Sequence, residues 1–254
     1  MKSYLELAGR IAELQYRNQN YVLLFRGQSH DWKTAKGSTT LKPTIFRPLP
    51  PDNIAKHGAI EKRFNTLLSG EESLIKGFQE LNKLGRQRVT RERLLRWSIL
   101  QHYEVCATPL LDVTHSLRIA ASFASLEPAT EAFVYVLAVP YLSGAVTANS
   151  ESGLQIVRLA SICPPAAIRP HIQEGYLLGE YPEMVGLTQA KHYEAFEMDF
   201  GRRIIAKFRF DPSTFWDDKT FPPIPKAALY PKGRDWLERL TAEIATKCQA
   251  SQVD

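Results

Sequence analysis

The first residues whose types could do chemistry are Arg26 and Gly27, which follow the apolar run Tyr21-Val-Leu-Leu-Phe25. An arginine at the end of a strand can grip a phosphate with two parallel hydrogen bonds, and an adjacent glycine lets a ligand approach the backbone. Arg26 and the nearby Gln28 are therefore candidate ligand-binding residues. An ordinary exposed arginine before a turn glycine would have the same sequence. The dipeptide alone therefore does not distinguish a ligand-binding arginine from an exposed one.

A second group of polar residues lies between positions 101 and 116. His102 stands at the end of a predicted helix. After a pair of leucines come three polar side chains at alternate positions, Asp112, Thr114 and Ser116. In an extended backbone such side chains share one face, which predicts a hydrogen-bonding pocket wall. The alternative is that Asp112 and Ser116 cap the next helix and that His102 is an interior histidine.

Gln173 and Glu174 form the third candidate, because a catalytic group could stand at either position. Neighbours on a strand face opposite sides, so only one of them could enter a given cleft. A carboxylate there could orient or deprotonate a hydroxyl, whereas an amide could only form hydrogen bonds. Glu174 could also be an ordinary exposed charge. The sequence leaves the choice open.

A basic cluster follows the first third of the chain and could contact a phosphate backbone: Lys83, Arg86, Arg88, Arg91, Arg93 and Arg96. A solvated helix face is favoured instead, because Glu92 interrupts the cluster and no aromatic stacking pattern accompanies it. The net charge of +5 is compatible with an anionic partner. Nucleic acid is thus a possible partner but not the favoured one.

The composition excludes several classes of protein. With 254 residues and 44% hydrophobic content, the chain has the make-up of a packed globular protein. The longest apolar stretch, residues 133–141, is too short to cross a bilayer, and residues 1–14 lack the apolar core of a signal peptide. Three separated cysteines and six scattered histidines suggest neither a metal site nor a disulfide framework. We expect a cytoplasmic protein with no membrane partner and no metal.

The hydrophobic periodicity predicts the elements that must position these residues. Helices are expected at Tyr4–Tyr16, Arg91–Tyr103, Ser116–Ser125 and Arg234–Cys248, with a glycine-interrupted helical stretch from Asn53 to Lys83. Strands are expected at Tyr21–Phe25, Thr108–Val113, Ala132–Val139, Gln155–Leu159, Ile168–Leu177 and Arg203–Phe210. The proline-rich stretch 212–225 is expected to lack regular structure. This pattern predicts a single α+β domain.

Several motifs, taken together in their order along the chain, show a resemblance that no single one of them shows. They are Phe25-Arg26-Gly27-Gln28 with Trp32, Leu41-Lys42-Pro43-Thr44-Ile45-Phe46-Arg47, Gln101-His102-Tyr103 with Thr108 and Leu110-Leu111-Asp112-Val113-Thr114, Ala120 to Ala124, Arg169 with Gln173-Glu174-Gly175-Tyr176, and Leu229-Tyr230-Pro231. Together they resemble the FRG domain. The chain departs from the family pattern where Glu104 replaces a glycine, Pro109 an arginine and Val113 a tryptophan. The resemblance implies an FRG domain over residues 21–250, with a helix in residues 1–20 packed on it.

The resemblance also implies a layout like that of ADP-ribosyltransferases, with a split or strongly twisted mixed β-sheet flanked by helices. In such a layout NAD is the substrate and Arg26 holds one of its phosphates or riboses. Asp112, Thr114 and Ser116 would line the nicotinamide side, and His102 would form a hydrogen bond to the ligand. Gln173 or Glu174 would occupy the third catalytic position.

Two functions follow from this resemblance. One is an ADP-ribosyltransferase or NAD glycohydrolase, the transferase modifying a protein or nucleic-acid acceptor that the sequence does not identify. The other is a module that binds or senses NAD or a related nucleotide without turning it over, within a bacterial toxin or phage-defence system. The sequence leaves open whether the chain is an enzyme.

Overall fold

A single antiparallel sheet organises the fold in the computed structural model, which describes residues 1–48, 55–165, 167–193, 197–217, 220–231 and 235–250. The strands are β1 (Val22–Gln28), β2 (Leu111–Thr114), β3 (Ala132–Val139), β4 (Val146–Asn149), β5 (Leu154–Arg158), β6 (Gly175–Glu180) and β7 (Ile204–Phe210). They form a 7-stranded sheet in the order β4-β5-β6-β2-β1-β3-β7. Helices flank this sheet, so the predicted α+β class is confirmed.

The expected mixed pairing of strands is wrong, because each neighbouring pair of described strands is antiparallel. The strand–helix–strand alternation in the middle of the chain suggests parallel neighbours. In the structure, β2 and β3 lie on opposite sides of β1, and both run antiparallel to it. The two strands are thus parallel to each other without being paired.

The helices occupy the connections between strands. They are α1 (Tyr4–Arg17), α2 (His57–Glu80), α3 (Arg86–Arg91), α4 (Arg93–His102), α5 (Leu117–Ala124), α6 (Leu159–Ile162), α7 (Ile168–Ile172), α8 (Leu187–Ala190), α9 (Pro212–Phe215), α10 (Lys226–Leu229) and α11 (Trp236–Ala250), with 3-10 turns at Thr44–Phe46 and Phe200–Arg203. Helix α2 continues through its expected glycine interruptions at Gly70 and Gly77. A Cβ on Gly77 would overlap the side chain of Leu240 in α11, so this glycine allows the two helices to pack closely. Among the described helices, none has both the length and the apolar character needed to cross a bilayer.

Apolar side chains cover the sheet on both faces. One cluster joins α2, α4 and α11 around Trp97 and Phe78. Another joins α1 and α5 to the strands β1, β3 and β7, and Leu7 and Ile11 are the fully packed residues of α1. Burial on both faces holds the strand ends, where the polar candidates lie, in fixed positions.

The seam between β1 and β2 divides the sheet into two parts. Strand β1 pairs with β3 along its whole length, from Val22 with Val139 to Gln28 with Phe133. Its pairing with β2 is limited to Phe25 with Thr114. Beyond that pair the backbones are joined by a side chain, because Arg26 Nη1 donates to the main-chain carbonyl of Asp112 at 2.5 Å.

Three predictions of local structure differ from the fold. Residues 168–172 form α7 rather than a strand, because Pro170 lies in the first turn of the helix, where a missing N–H costs little. The proline-rich stretch contains α9, in which Pro212 follows Asp211 and the Asp211 carboxylate accepts from the Ser213 amide. Strand β4 was not predicted.

Candidate functional site

A cavity of about 510 Å³ lies beside the seam between β1 and β2. Strand β1 contributes Arg26 and Gln28 to its wall, and His102, the last residue of α4, also lines it. Most of the predicted site residues come together here: Arg26, Gln28, His102, Asp112, Thr114 and Gln173. The fold thus joins residues that are up to 147 positions apart in the sequence, from Arg26 to Gln173.

Ser116 and Glu174 lie outside the cavity wall. Ser116 stands at the N-cap position of α5, but its side chain makes no capping hydrogen bond. Glu174 is exposed and lies in the turn that joins α7 to β6, with a backbone φ of 43°. The turn, rather than alternation along a strand, separates it from Gln173.

Gln173 is the member of this pair that faces the cavity. Its side chain is buried, and its Nε2 donates to the carbonyl of Leu229 at 2.8 Å. Thr114 fixes the adjoining backbone, because its hydroxyl donates to the Gln173 carbonyl at 2.8 Å. The third position of the site therefore presents an amide, which forms hydrogen bonds but is no base at neutral pH.

A hydrogen-bond chain fixes the Asp112 carboxyl group. The Thr108 hydroxyl donates to Gln101 Oε1 at 2.5 Å, and Gln101 Nε2 donates to Asp112 Oδ2, also at 2.5 Å. Both ends of the Gln101 amide are thus engaged, which sets its orientation. This network, and not helix capping, explains the spacing of Gln101, Thr108 and Asp112.

Burial raises the pKa of the Asp112 carboxyl, while the positive charge of Arg26 and the hydrogen bond from Gln101 act in the opposite direction. The Asp112 side chain keeps 39% of its surface accessible, and the residue forms part of the cavity wall. Asp112 is therefore a carboxyl group that a ligand could contact directly. Its protonation is sensitive to what fills the cavity.

His102 is a buried histidine whose ring reaches the same carboxyl group. It is 2% exposed, and its Nδ1 lies 4.0 Å from Asp112 Oδ1. Burial, followed by the charge of Arg169, holds the pKa of His102 well below its usual value. Its Nε2 is buried without a hydrogen-bond partner among the described residues. A neutral ring with one unsatisfied nitrogen is suited to bind a polar ligand atom.

Other cavity atoms also lack partners within the described part of the chain. They are Arg26 Nε, Gln28 Oε1 and Arg169 Nε, all buried. Buried polar groups are normally satisfied, so a concentration of unsatisfied ones in one wall indicates a place for a polar ligand or ordered water.

Aromatic rings also line the cavity, and residue patterns alone did not assign them to the site. The rings of His30 and Trp32 stack with centroids 5.7 Å apart, and Trp32 is 61% exposed. Phe123 and Tyr230, which also line the cavity, meet edge to face at 5.8 Å. An exposed tryptophan in a polar loop just after the Arg-Gly pair is the signal that could have indicated these rings.

Gly27 lines the cavity, but a glycine is needed here because helix α5 packs against its backbone. A Cβ at this position would overlap the carbonyl oxygen of Ala120 and lie 2.7 Å from its carbon. Helix α5 thus packs directly on the backbone of β1. The sequence predicted that this glycine lets a ligand approach the backbone. On the side where a Cβ would lie, helix α5 occupies that space instead.

The basic cluster does not form one exposed stripe. Arg96 is buried, and its Nε contacts Glu71 Oε2 at 2.7 Å. Arg93 Nε lies 3.4 Å from the same carboxylate oxygen, and Trp97 Nε1 donates to Glu71 Oε1 at 2.8 Å. The expectation of a solvated helix face is therefore wrong for Arg96, which belongs to the core.

Metal ligation finds no support in the described ranges, where no three His, Cys, Asp or Glu side chains come together in a suitable group. The burial of Cys106 and Cys163 raises the pKa of each thiol to about 12, which makes them poor nucleophiles at neutral pH.

The comparison with known families agrees with this arrangement of motifs. Residues 21–132 match the family model of the FRG domain, which supports the resemblance that the motifs carry. The matched range contains the Arg-Gly strand, the end of α4, and β2, which supply most of the polar cavity wall. The curated proteins and the solved structures that were compared with the chain gave no match.

Proposed function

We propose that this protein binds NAD or a related nucleotide in the cavity beside Arg26. The observation that carries the proposal is the combination of a guanidinium and stacked aromatic rings in the lining of one cavity. Arginine is suited to a phosphate, and an exposed ring is suited to stack on a base. The unsatisfied atoms of Arg26, Gln28 and His102 would then pair with the ligand.

The proposed reaction is ADP-ribosyl transfer, or hydrolysis of NAD. The glycosidic C–N bond breaks, its electron pair leaves with nicotinamide, and an acceptor nucleophile or water bonds to the ribose carbon and loses a proton. Asp112, one of the carboxyl groups that line the cavity, would stabilise the developing positive charge when it is ionised. Glu174, which is exposed outside the cavity, has no part in this step.

A second function is a nucleotide-binding or sensing module without turnover, as part of a bacterial toxin or phage-defence system. The observation that favours it is Gln173, which presents an amide at the third position and is held by the Leu229 carbonyl. A site that only binds needs hydrogen bonds there and no base.

Isothermal titration of NAD, combined with an assay of nicotinamide release, tests these proposals. For the enzyme, Asp112→Asn stops release and preserves binding, because asparagine can still accept from Gln101. Glu174→Gln, the matched control, leaves both unchanged. Binding without release in the wild type supports the sensing module. A wild type that shows no NAD binding and no nicotinamide release would overturn the proposal of a nucleotide site.

A further inference from the structure

Arg169 is a further charged residue of the cavity wall. It belongs to α7, and its side chain is 14% exposed. The guanidinium carbon lies 4.5 Å from the ring centroid of Tyr230 and 5.8 Å from that of Tyr103. These cation–π contacts hold the group in place. Its Nε is nevertheless buried without a partner in the described part of the chain.

Glu104 is the present counter-ion of this arginine. Its Oε1 lies 2.7 Å from Arg169 Nη2, while its side chain is 64% exposed. Glu104 follows α4 with a φ of 57°, in the left-handed region that residues other than glycine rarely adopt. A solvated carboxylate at the cavity wall thus pairs with Nη2 of a guanidinium whose Nε is unsatisfied.

Arg26, Arg169 and Asp112 line the same cavity. Both positive charges lower the pKa of Asp112, against the larger effect of burial. The wall thus offers two guanidinium groups to one ligand. A ligand with two linked phosphates could engage both.

We infer that Arg169 is a second anion-binding residue of the cavity, that the ligand carries a diphosphate, and that Glu104 is the internal carboxylate with which this anion competes. The inference rests on the nucleotide site proposed above and specifies its ligand class. The diphosphate contacts Arg26 and Arg169 together. Glu104 then no longer pairs with Arg169, and its carboxylate, which lies on the solvent-exposed side of the pair, is readily hydrated.

Titration of inorganic pyrophosphate and of orthophosphate, at one fixed ionic strength, tests the role of Arg169. The wild type should bind pyrophosphate about tenfold more tightly than orthophosphate, and Arg169→Gln should lose this preference. Arg209→Gln is the matched control, because Arg209 pairs with Glu131 at the same 2.7 Å outside the cavity. The control should keep the preference.

Glu104→Gln tests the competition without removing an arginine. This variant should bind pyrophosphate about threefold more tightly, since a mostly exposed competing charge has a small effect. Glu131→Gln makes the same change of net charge elsewhere and should have no effect. In the double variant with Arg169→Gln the gain should disappear, because Glu104 acts through that arginine.

Several outcomes would overturn the inference: a wild type that binds neither anion, an Arg169→Gln protein that is folded by its thermal transition and keeps the preference, or an equal gain from Glu104→Gln in the absence of Arg169. Titration of NAD distinguishes this failure from failure of the proposed function. Pyrophosphate binding through Arg169 without NAD binding would contradict only the NAD proposal. NAD binding that is unchanged in Arg169→Gln would contradict only the role of Arg169.

Discussion

The guanidinium of Arg26 donates to the backbone carbonyl of Asp112, across the seam where β1 and β2 share a single residue pair. The same side chain that faces the cavity therefore also joins the two parts of the sheet. We expect its removal to lower both ligand binding and stability, and the two effects can be measured separately.

Arg26→Gln should abolish NAD binding and lower the free energy of unfolding by about 1.5–3 kcal/mol, the range for a hydrogen bond to a charged group. Calorimetric titration and urea denaturation measure the two effects. Arg209→Gln, which removes an exposed arginine, should change neither by a comparable amount. Full NAD affinity in folded Arg26→Gln would exclude this arginine from the site.

Gly27→Ala should destabilise the protein by about 3 kcal/mol or more, because the added methyl group overlaps the backbone of α5. The shift in the urea midpoint measures this loss. The control is Gly9→Ala at an exposed position of α1, where nothing lies within 4 Å of the new Cβ. There alanine should stabilise by about 0.5–1 kcal/mol. Equal stability of the two variants would mean that α5 does not pack on β1 as described.

Glu104→Gly should raise the free energy of unfolding by about 1 kcal/mol, because glycine relieves the left-handed backbone conformation. The FRG pattern has glycine at this position, and the φ of 57° supplies the reason. Chemical denaturation compares this variant with Glu72→Gly in the exposed face of α2, which should lose about 1 kcal/mol. Losses of the same size at both positions would contradict the backbone argument.

Glu71→Ala should destabilise by about 3–5 kcal/mol, since it leaves the charge of buried Arg96 without its partner. The neighbouring Glu72 is exposed, and Glu72→Ala should change the free energy by less than about 0.5 kcal/mol. Thermal unfolding of the two variants gives the comparison. A small effect at Glu71 would show that Arg96 reaches solvent.

His102 should make stability depend on pH below its ordinary pKa of 6.5. Burial lowers the pKa of His102 in the folded state, so that in this pH range the ring binds a proton in the unfolded chain but not in the folded chain. The contribution of neutral His102 to the free energy of unfolding is complete above pH 6.5. It is lost as the pH falls toward the folded-state pKa, by at most about 1.4 kcal/mol per pH unit.

Urea denaturation between pH 5 and 7 measures this slope in the wild type and in His102→Gln. Asp112 acts in the opposite sense, because its pKa is raised and its contribution is lost as the pH rises. The difference between the variants therefore isolates His102. His192→Gln, at an exposed position, serves as the control. Parallel slopes for wild type and His102→Gln would show that His102 is not desolvated.

Periodicity and motif order predicted much of this fold. Strand β3 was predicted with its exact bounds, Ala132–Val139, because a long β-branched and aromatic run has few alternatives. Residues 168–172 could be read as either element, since five residues show neither period clearly. The edge strand β4 was missed because Val146 and Ala148 are exposed and give no alternating apolar signal.

The site was less accessible to sequence reasoning than the fold. Motif order selected Arg26, His102 and Asp112, which the structure places in one wall. The choice between Gln173 and Glu174 depended on a left-handed turn at a glutamate, which no propensity predicts. The ion pair of Arg169 with Glu104 is a tertiary contact between residues 65 positions apart, which no shared pattern predicts. The stacking of His30 on Trp32 is local, but it depends on the conformation of the loop after β1.

Because β1 pairs with β2 at one residue pair only, we expect a ligand in the cavity to affect the rigidity of the sheet. Arginine has five N–H donors, of which Nη1 supplies one to the Asp112 carbonyl. A ligand that orders the remaining donors also restricts the motion of this bond. The backbone amides of β2 would then exchange their hydrogens more slowly in the liganded protein, although the ligand touches few of them.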